Sequence, residues 1–150
     1  MDKGDEMDLT VLPRSWAPYI QALFRIMVGL LFIEHGTGKL LGFPPGAVPP
    51  GEPFAMLIFT GLMELVGGAL IVLGLLTRPV AFVLSGYMAV GYFMAHAPMG
   101  FFPILNHGEL AILYSFAFLY FAAAGAGAWS VDAAFAGPRA DRRHDALSRA

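Results

Sequence analysis

The chain has 150 residues, of which 57% are hydrophobic and only 13% are charged. A water-soluble domain of this size carries charge on roughly a quarter of its residues, so much of this surface must face lipid and the composition indicates a membrane protein. The net charge of −2 gives no reason to expect a nucleic acid as a partner. The absence of cysteine excludes disulfides, thiolate metal sites, iron–sulfur clusters and covalently attached haem.

The segment 1–15 is polar and precedes the first apolar run of the chain. It contains four acidic and two basic residues. A secretory signal begins instead with a basic stretch followed by a short apolar core. We therefore predict that the first hydrophobic segment stays in the mature protein.

Four apolar segments follow, at about 16–41, 54–76, 79–97 and 107–126. Each has roughly 20 residues or more, which is enough for a helix to cross about 30 Å of hydrocarbon. Helices satisfy their own backbone hydrogen bonds in lipid. The sequence therefore predicts an all-α fold, an integral membrane four-helix bundle that occupies residues 16–129.

The connections between these segments differ in character. Segment 42–53 contains five of the 11 prolines and is predicted to be an exposed, irregular loop. Thr77, Arg78 and Pro79 are predicted to form a tight turn with the proline at the first helical position. Segment 98–106 is too apolar for a solvated loop and should lie in the interface or dip inward. Residues 130–150 are predicted to be a polar, basic tail in the cytoplasm.

Lysine and arginine concentrate on one side of the predicted bundle, where Trp16 and Trp129 would act as aromatic anchors. On the opposite side only Lys39 is found, at the end of the first segment. Because cytoplasmic loops carry the excess of basic residues, we predict that both termini are cytoplasmic. The basic residues on that side are Lys3, Arg14, Arg78, Arg139, Arg142, Arg143 and Arg149.

This orientation gathers polar residues in one outer layer, where the first and third helices end and the second and fourth begin. Polar residues within spans are costly and usually face the bundle interior or a wet cavity. Glu34 lies nearly opposite Arg25 on the helix surface, so it should face lipid head groups or another subunit. The residues predicted to form a candidate site in this layer are His35, Lys39, His96 and Glu109.

His35 and His96 are the candidate cofactor-binding residues, and their chemistry leaves several roles open. They could ligate haem axially or donate a hydrogen bond to a quinone carbonyl, with haem the less favoured cofactor. They could equally cap helix ends or bind loop carbonyls. No spacing such as HExxH supports a metal site, so none is predicted.

Arg25 and Glu64 form a second, deeper polar level. At 1.5 Å per residue they lie about 14 Å and about 18 Å from the cytoplasmic ends of their helices. An isolated charge at mid-membrane is unfavourable by about 2.5 to 3.5 kcal/mol, so we predict that the two side chains form a buried ion pair. A structural role and a role as a functional relay both remain open. Glycines at 61, 67, 68 and 74 are predicted to permit close helix packing.

Several short runs together resemble the DoxX family of small four-helix membrane proteins. They are HGxxK at 35–39, ELxGGxLxxLGLxTR at 64–78, HAPxGFFP at 96–103, GE at 108–109 and LY at 113–114. The resemblance covers about 22–129. One departure is Asn106-His107-Gly108-Glu109, where the family pattern has NGGE, so the histidine is interpreted as incidental. The motif positions that carry over are His35, Gly36, Lys39, Glu64, Arg78, His96 and Glu109.

The resemblance implies a multi-pass protein of the bacterial cytoplasmic (inner) membrane. Because the family is named for its similarity to a subunit of a thiosulfate:quinone oxidoreductase, the resemblance also implies an accessory or quinone-linked component of a membrane oxidoreductase system. Without cysteine the chain is unlike a complete enzyme, and the implied partners are another subunit or further copies of this chain. The alternative is a non-enzymatic assembly factor or small-solute carrier. Crowding of polar residues on one side disfavours a carrier.

Overall fold

The computed structural model describes residues 11–46, 48 and 51–136, and no β-strand occurs in them. The all-α prediction is confirmed for this part of the chain. The helices are α1 (Ala17–Leu41), α2 (Phe54–Leu73), α3 (Thr77–Gly91), α4 (Pro103–Asn106), α5 (Glu109–Ala124) and α6 (Val131–Ala136). A 3₁₀ turn, Arg14–Trp16, precedes α1, and α3 continues through a π-helical turn, Tyr92–His96, and a 3₁₀ turn, Ala97–Met99.

Three of the described helical segments are long and apolar enough to cross a membrane: Arg14–Leu41, Phe54–Leu73 and Thr77–Met99. The fourth predicted span, 107–126, is shorter in the structure, because α5 has 16 residues. That length corresponds to about 24 Å of helix, less than the thickness of a typical hydrocarbon core. The number of spans and the orientation of the termini therefore stay predictions.

Helices α1 and α2 pack closely through glycines. A Cβ atom at Gly36 would lie 2.5 Å from the backbone nitrogen of Leu65, and one at Gly68 would lie 3.0 Å from the carbonyl oxygen of Gly29. Gly67 instead makes room for Leu84 of α3. Gly67 and Gly68 were predicted to permit such packing, and Gly29 and Gly36 add to it, as small residues do between membrane helices.

Gly74 has a different role from the other glycines of the second segment. It adopts a left-handed conformation (φ 65°) that ends α2 after Leu73. The backbone N–H of Leu75 donates to the carbonyl of Leu70 across this turn, as in a Schellman motif. The predicted span 54–76 is therefore about three residues too long, and α3 begins at Thr77 rather than at Pro79.

The core lies between α1, α2, α3 and α5 and is largely aromatic. Phe32 of α1 contacts Phe118 of α5 with ring centroids 4.9 Å apart, and Phe121 and Leu84 are almost completely buried. Large apolar side chains cover the outside of the same helices, including Phe82, Phe93 and Phe116. This pattern suits a bundle whose exterior faces lipid.

The start of α1, the α2–α3 turn and the chain after α5 meet at one end of the bundle. The N–H of Ala128 donates to the carbonyl of Pro18, and the N–H of Asp132 donates to the carbonyl of Gly74. We call this the α6 end. Residues 1–10 and 137–150, which include Lys3 and the four tail arginines of the predicted polar regions, lie outside the described residues.

Candidate functional site

A buried polar cluster lies where α1, α2 and α3 meet. The Lys39 ammonium of α1 contacts Glu64 Oε1 of α2 at 2.8 Å and donates to Thr60 Oγ1 at 3.1 Å. The Tyr87 hydroxyl of α3 donates to the same Glu64 oxygen at 3.1 Å. We call Lys39, Thr60, Glu64 and Tyr87 the Glu64 cluster.

The glycines of α1 and α2 bring the charged members of this cluster together. Gly36 lies one turn before Lys39 and touches the α2 backbone beside Glu64. Gly61 lies one turn before Glu64, and its missing side chain leaves room for Leu40 and for the Cβ of Lys39. The lysine stem can therefore cross the helix contact and reach the carboxylate.

Glu64 keeps one carboxylate oxygen without a partner. Its side chain is 7% exposed, and no hydrogen-bond partner for Oε2 occurs among the residues that the structure describes. Glu52, in the α1–α2 connection, likewise has a buried oxygen without a partner in the described part of the chain. A buried carboxylate oxygen normally finds a donor, so Oε2 of Glu64 is available to a proton or to a ligand.

Aromatic rings flank the Glu64 cluster. Phe32 lies against the ring of Tyr87 (6.4 Å between centroids) and against the ring of Tyr114 (5.2 Å). His35 meets Tyr114 edge-on at 6.0 Å. The predicted site residue His35 is exposed, and its ring contacts Tyr114 rather than a member of the cluster.

Of the four predicted outer-layer residues, the structure places only Lys39 in the Glu64 cluster. His96 Nδ1 is 2.9 Å from the carbonyl oxygen of Asn106, which is the loop-carbonyl role that the sequence left open. Glu109 is exposed in the first turn of α5. His107 is also exposed and has a left-handed backbone (φ 58°).

The predicted ion pair between Arg25 and Glu64 does not form. Arg25 is fully buried, but its guanidinium donates to four backbone carbonyls, those of Ile71, Val72, Ala126 and Trp129. Ile71 lies seven residues beyond Glu64, about 10 Å along α2. Carbonyls at the end of a helix attract a cation. Those of Ile71 and Val72 at the end of α2 bind Arg25, while Lys39 neutralises Glu64.

Asp132 completes the α6 end of the bundle. Its two carboxylate oxygens accept hydrogen bonds of 2.8 Å from the backbone N–H groups of Leu76 and Thr77, at the start of α3. Burial alone would raise the pKa of Asp132, but these hydrogen bonds and the nearby charge of Arg25 outweigh it and hold the pKa below its usual value.

The residues that sequence reasoning missed include Tyr87 and Thr60 of the Glu64 cluster, Asp132 at the α6 end, and Asn106. Asn106 is fully buried. Its amide donates to the carbonyl of Gly100 at 2.7 Å, and its Oδ1 accepts from the N–H of Gly108 at 2.9 Å. A polar residue in the apolar segment 98–106 was the available signal for Asn106. For Tyr87 the signal was the need of a buried acid for donors on neighbouring helices.

Comparison with known proteins gives one family and three relatives. The DoxX family pattern matches residues 20–97. An uncharacterized protein of Haemophilus influenzae is 50% identical over 81% of this chain and 94% of its own length. The inner membrane protein YqjF of Escherichia coli is 34% identical over 72% of this chain and 85% of its own length. The uncharacterized membrane protein Rv3486 of Mycobacterium tuberculosis is 32% identical over 72% of this chain and 76% of its own length. No solved structure matches.

Proposed function

Because the chain belongs to the DoxX family of membrane proteins, we propose that it is a quinone-linked component of an oxidoreductase system in the bacterial inner membrane. The Glu64 cluster is the proposed head-group site. The E. coli relative YqjF is named as an inner membrane protein, which supports the location, and the resemblance to a thiosulfate:quinone oxidoreductase subunit supports the link to quinone. The observation that carries the proposal is the buried Glu64 carboxylate, whose Oε2 has no hydrogen-bond partner among the described residues.

The chemistry of the cluster fits a quinone head group. A quinone carbonyl accepts hydrogen bonds, and Lys39 and Tyr87 are donors held 2.8 and 3.1 Å from Glu64. Reduction to the quinol adds two electrons and two protons, and Glu64 can pass protons to or from the ring oxygens. The electrons must come from a partner subunit that oxidises the primary substrate, because the chain lacks cysteine for a cluster of its own.

The first test is to purify the protein in mild detergent and to measure quinone in an organic extract by liquid chromatography and mass spectrometry. We expect near-stoichiometric quinone in the wild type. Tyr87→Phe removes a hydroxyl that donates to a charged group, so we expect quinone affinity to fall about ten-fold.

Tyr120→Phe is the matched control, because Tyr120 is on α5 and its hydroxyl is 3.5 Å from Gln21 Oε1, away from the Glu64 cluster. Quinone content should be unchanged in this variant. A folded wild-type protein that carries no quinone would reject the proposal. Equal losses in Tyr87→Phe and Tyr120→Phe would reject the assignment of the site.

The second candidate function is a non-enzymatic assembly factor. The burial of the ion pair favours an assembly role, since the side chains of Lys39 and Glu64 are only 14% and 7% exposed. Under this candidate the neutralised, enclosed pair only fixes the contact between α1 and α2 and binds no ligand. In that case the partner would be another protein subunit or a second copy of this chain, and the extract would contain no quinone.

We also propose four spans with both termini in the cytoplasm. The chain has no native cysteine, so single introduced cysteines report on topology without background. A membrane-impermeant maleimide applied to intact spheroplasts should label Pro45→Cys, in the α1–α2 connection. It should label Val11→Cys and Ala136→Cys only after lysis. Labelling of Ala136→Cys before lysis would contradict the topology.

A further inference from the structure

An open cavity of about 410 Å³ lies at the α6 end of the bundle. Three parts of the chain line it: the α2–α3 turn with the start of α3, residues 124–127, and the start of α6. It is separate from the Glu64 cluster, none of whose residues line it. In the proposed topology it opens at the cytoplasmic head-group level.

Arg78 and Thr77 are the lining side chains that could donate to a ligand, since the Ser130 hydroxyl already donates to the carbonyl of Gly127. The exposed Arg78 guanidinium covers Gly125, where a Cβ would lie 3.3 Å from the Arg78 Nε. No carboxylate lies within ion-pairing distance of Arg78 in the part of the chain that the structure describes. Thr77 is fully buried; its Oγ1 makes no hydrogen bond of normal geometry among the described residues, but it lies close enough to Asp132 to help lower the pKa of that carboxyl.

The charge balance around the cavity favours an anionic ligand. Asp132 is the acidic residue in its lining, but both of its oxygens are occupied by the N–H groups of Leu76 and Thr77. Arg25 lies behind the lining, near enough to lower the pKa of Asp132. One guanidinium in the lining and one behind it therefore stand against one carboxylate, and Arg78 has no ion-pair partner among the described residues.

We propose that this cavity binds the phosphate group of an anionic phospholipid. A guanidinium recognises phosphate oxygens with two parallel hydrogen bonds, and the Thr77 hydroxyl supplies a third donor. The cytoplasmic leaflet is rich in anionic lipids, which attract basic residues at the membrane surface. Leu76, which is 59% exposed at the rim, offers an apolar surface to the acyl chains. The site does not depend on the proposed quinone function.

The test measures binding of short-chain phosphatidylglycerol to the purified protein by the rise in melting temperature in neutral detergent, with phosphatidylcholine as the uncharged comparison. Phosphatidylglycerol should stabilise the wild type and phosphatidylcholine should not. Arg78→Gln should weaken the binding about ten-fold or more, because it removes a charge-assisted contact. Thr77→Val, which keeps the side-chain shape, should weaken it by a smaller factor.

Arg14→Gln is the matched control, because Arg14 is exposed at the same end but does not line the cavity. It should bind phosphatidylglycerol as the wild type does. Equal losses in Arg78→Gln and Arg14→Gln would mean general attraction to basic residues and would overturn the proposal. Unchanged binding in Arg78→Gln would also overturn it.

Inorganic phosphate tests whether the phosphate group bound in the cavity belongs to a lipid or to free phosphate. If the lipid is the ligand, inorganic phosphate at about 10 mM should shift the melting temperature little, and the lipid should still bind in its presence. Stabilisation by inorganic phosphate alone, lost in Arg78→Gln, would support the phosphate contact and reject the lipid as its source.

Discussion

Replacing Arg25 with alanine is expected to lower the free energy of unfolding by about 4 kcal/mol or more, the largest loss of any exchange at the α6 end. The guanidinium donates to the carbonyls of Ile71 and Val72 in α2 and of Ala126 and Trp129 after α5. Alanine would remove this donor from all four carbonyls, and of these Ile71 would keep its bond from the Gly74 N–H. A buried group that loses its partner is unfavourable by about 1 to 3 kcal/mol.

The loss should be cooperative, because Arg25 connects elements that are distant in sequence. Its partners lie 46 to 104 residues further along the chain. Arg25→Lys keeps the charge, but one ammonium cannot reach the carbonyls of two separate segments as the planar guanidinium does. We therefore expect the stability of Arg25→Lys to lie between that of Arg25→Ala and that of the wild type.

The measurement is unfolding in detergent by a denaturant, followed by helical circular dichroism, for wild type, Arg25→Ala, Arg25→Lys and Arg14→Ala. Arg14 is exposed at the same end of the bundle, so its loss should change stability by less than about 0.5 kcal/mol. If Arg25→Ala is as stable as Arg14→Ala, the four hydrogen bonds do not hold the two segments together.

The sequence was sufficient to predict that Arg25 and Glu64 are buried, but not which groups they contact. A charged residue in an apolar helix needs a partner, so burial with compensation follows from composition. Which partner it finds depends on the rotation of each helix and on the reach of the side chain. Glu64 is the opposite charge closest to Arg25 in depth along the helices. The partners of Arg25 are instead backbone carbonyls, including two at the end of α2, and no sequence pattern displays these.

The outer layer shows the same limit. His35, Lys39, His96 and Glu109 were grouped because they share a depth along the helices, but depth does not fix direction. Lys39 turns toward α2 because Gly36 and Gly61 let the helices approach, while His96 is held by the carbonyl of Asn106. The contact of His96 depends on the path of segment 98–106. That path is fixed by the buried amide of Asn106 and not by a periodic sequence pattern.

The second large effect is expected in the Glu64 cluster. Removing one partner of a buried ion pair leaves the other charge uncompensated, which typically lowers stability by about 3 to 5 kcal/mol. We therefore expect Lys39→Met to destabilise the fold strongly, because Glu64 would keep only the Tyr87 hydroxyl as a donor. Glu64→Gln should destabilise it less, since an amide can still accept from Lys39.

The double variant Lys39→Met, Glu64→Gln separates the pair's effect on stability from its effect on function. With both charges removed, its stability should recover to within about 1 kcal/mol of the wild type. The four proteins are compared by unfolding in detergent, and the energy of interaction is taken from the cycle. Additive losses would show that Lys39 and Glu64 do not stabilise each other.

The same four proteins also decide between the two proposed functions. If the cluster only fixes the contact between α1 and α2, the stable double variant should support assembly as well as the wild type does. If Glu64 passes protons to a quinone, the double variant should be folded but should retain no quinone, because both the cation and the acid are gone. A folded double variant with wild-type quinone content would place the head group away from Glu64, whatever the energy of the pair.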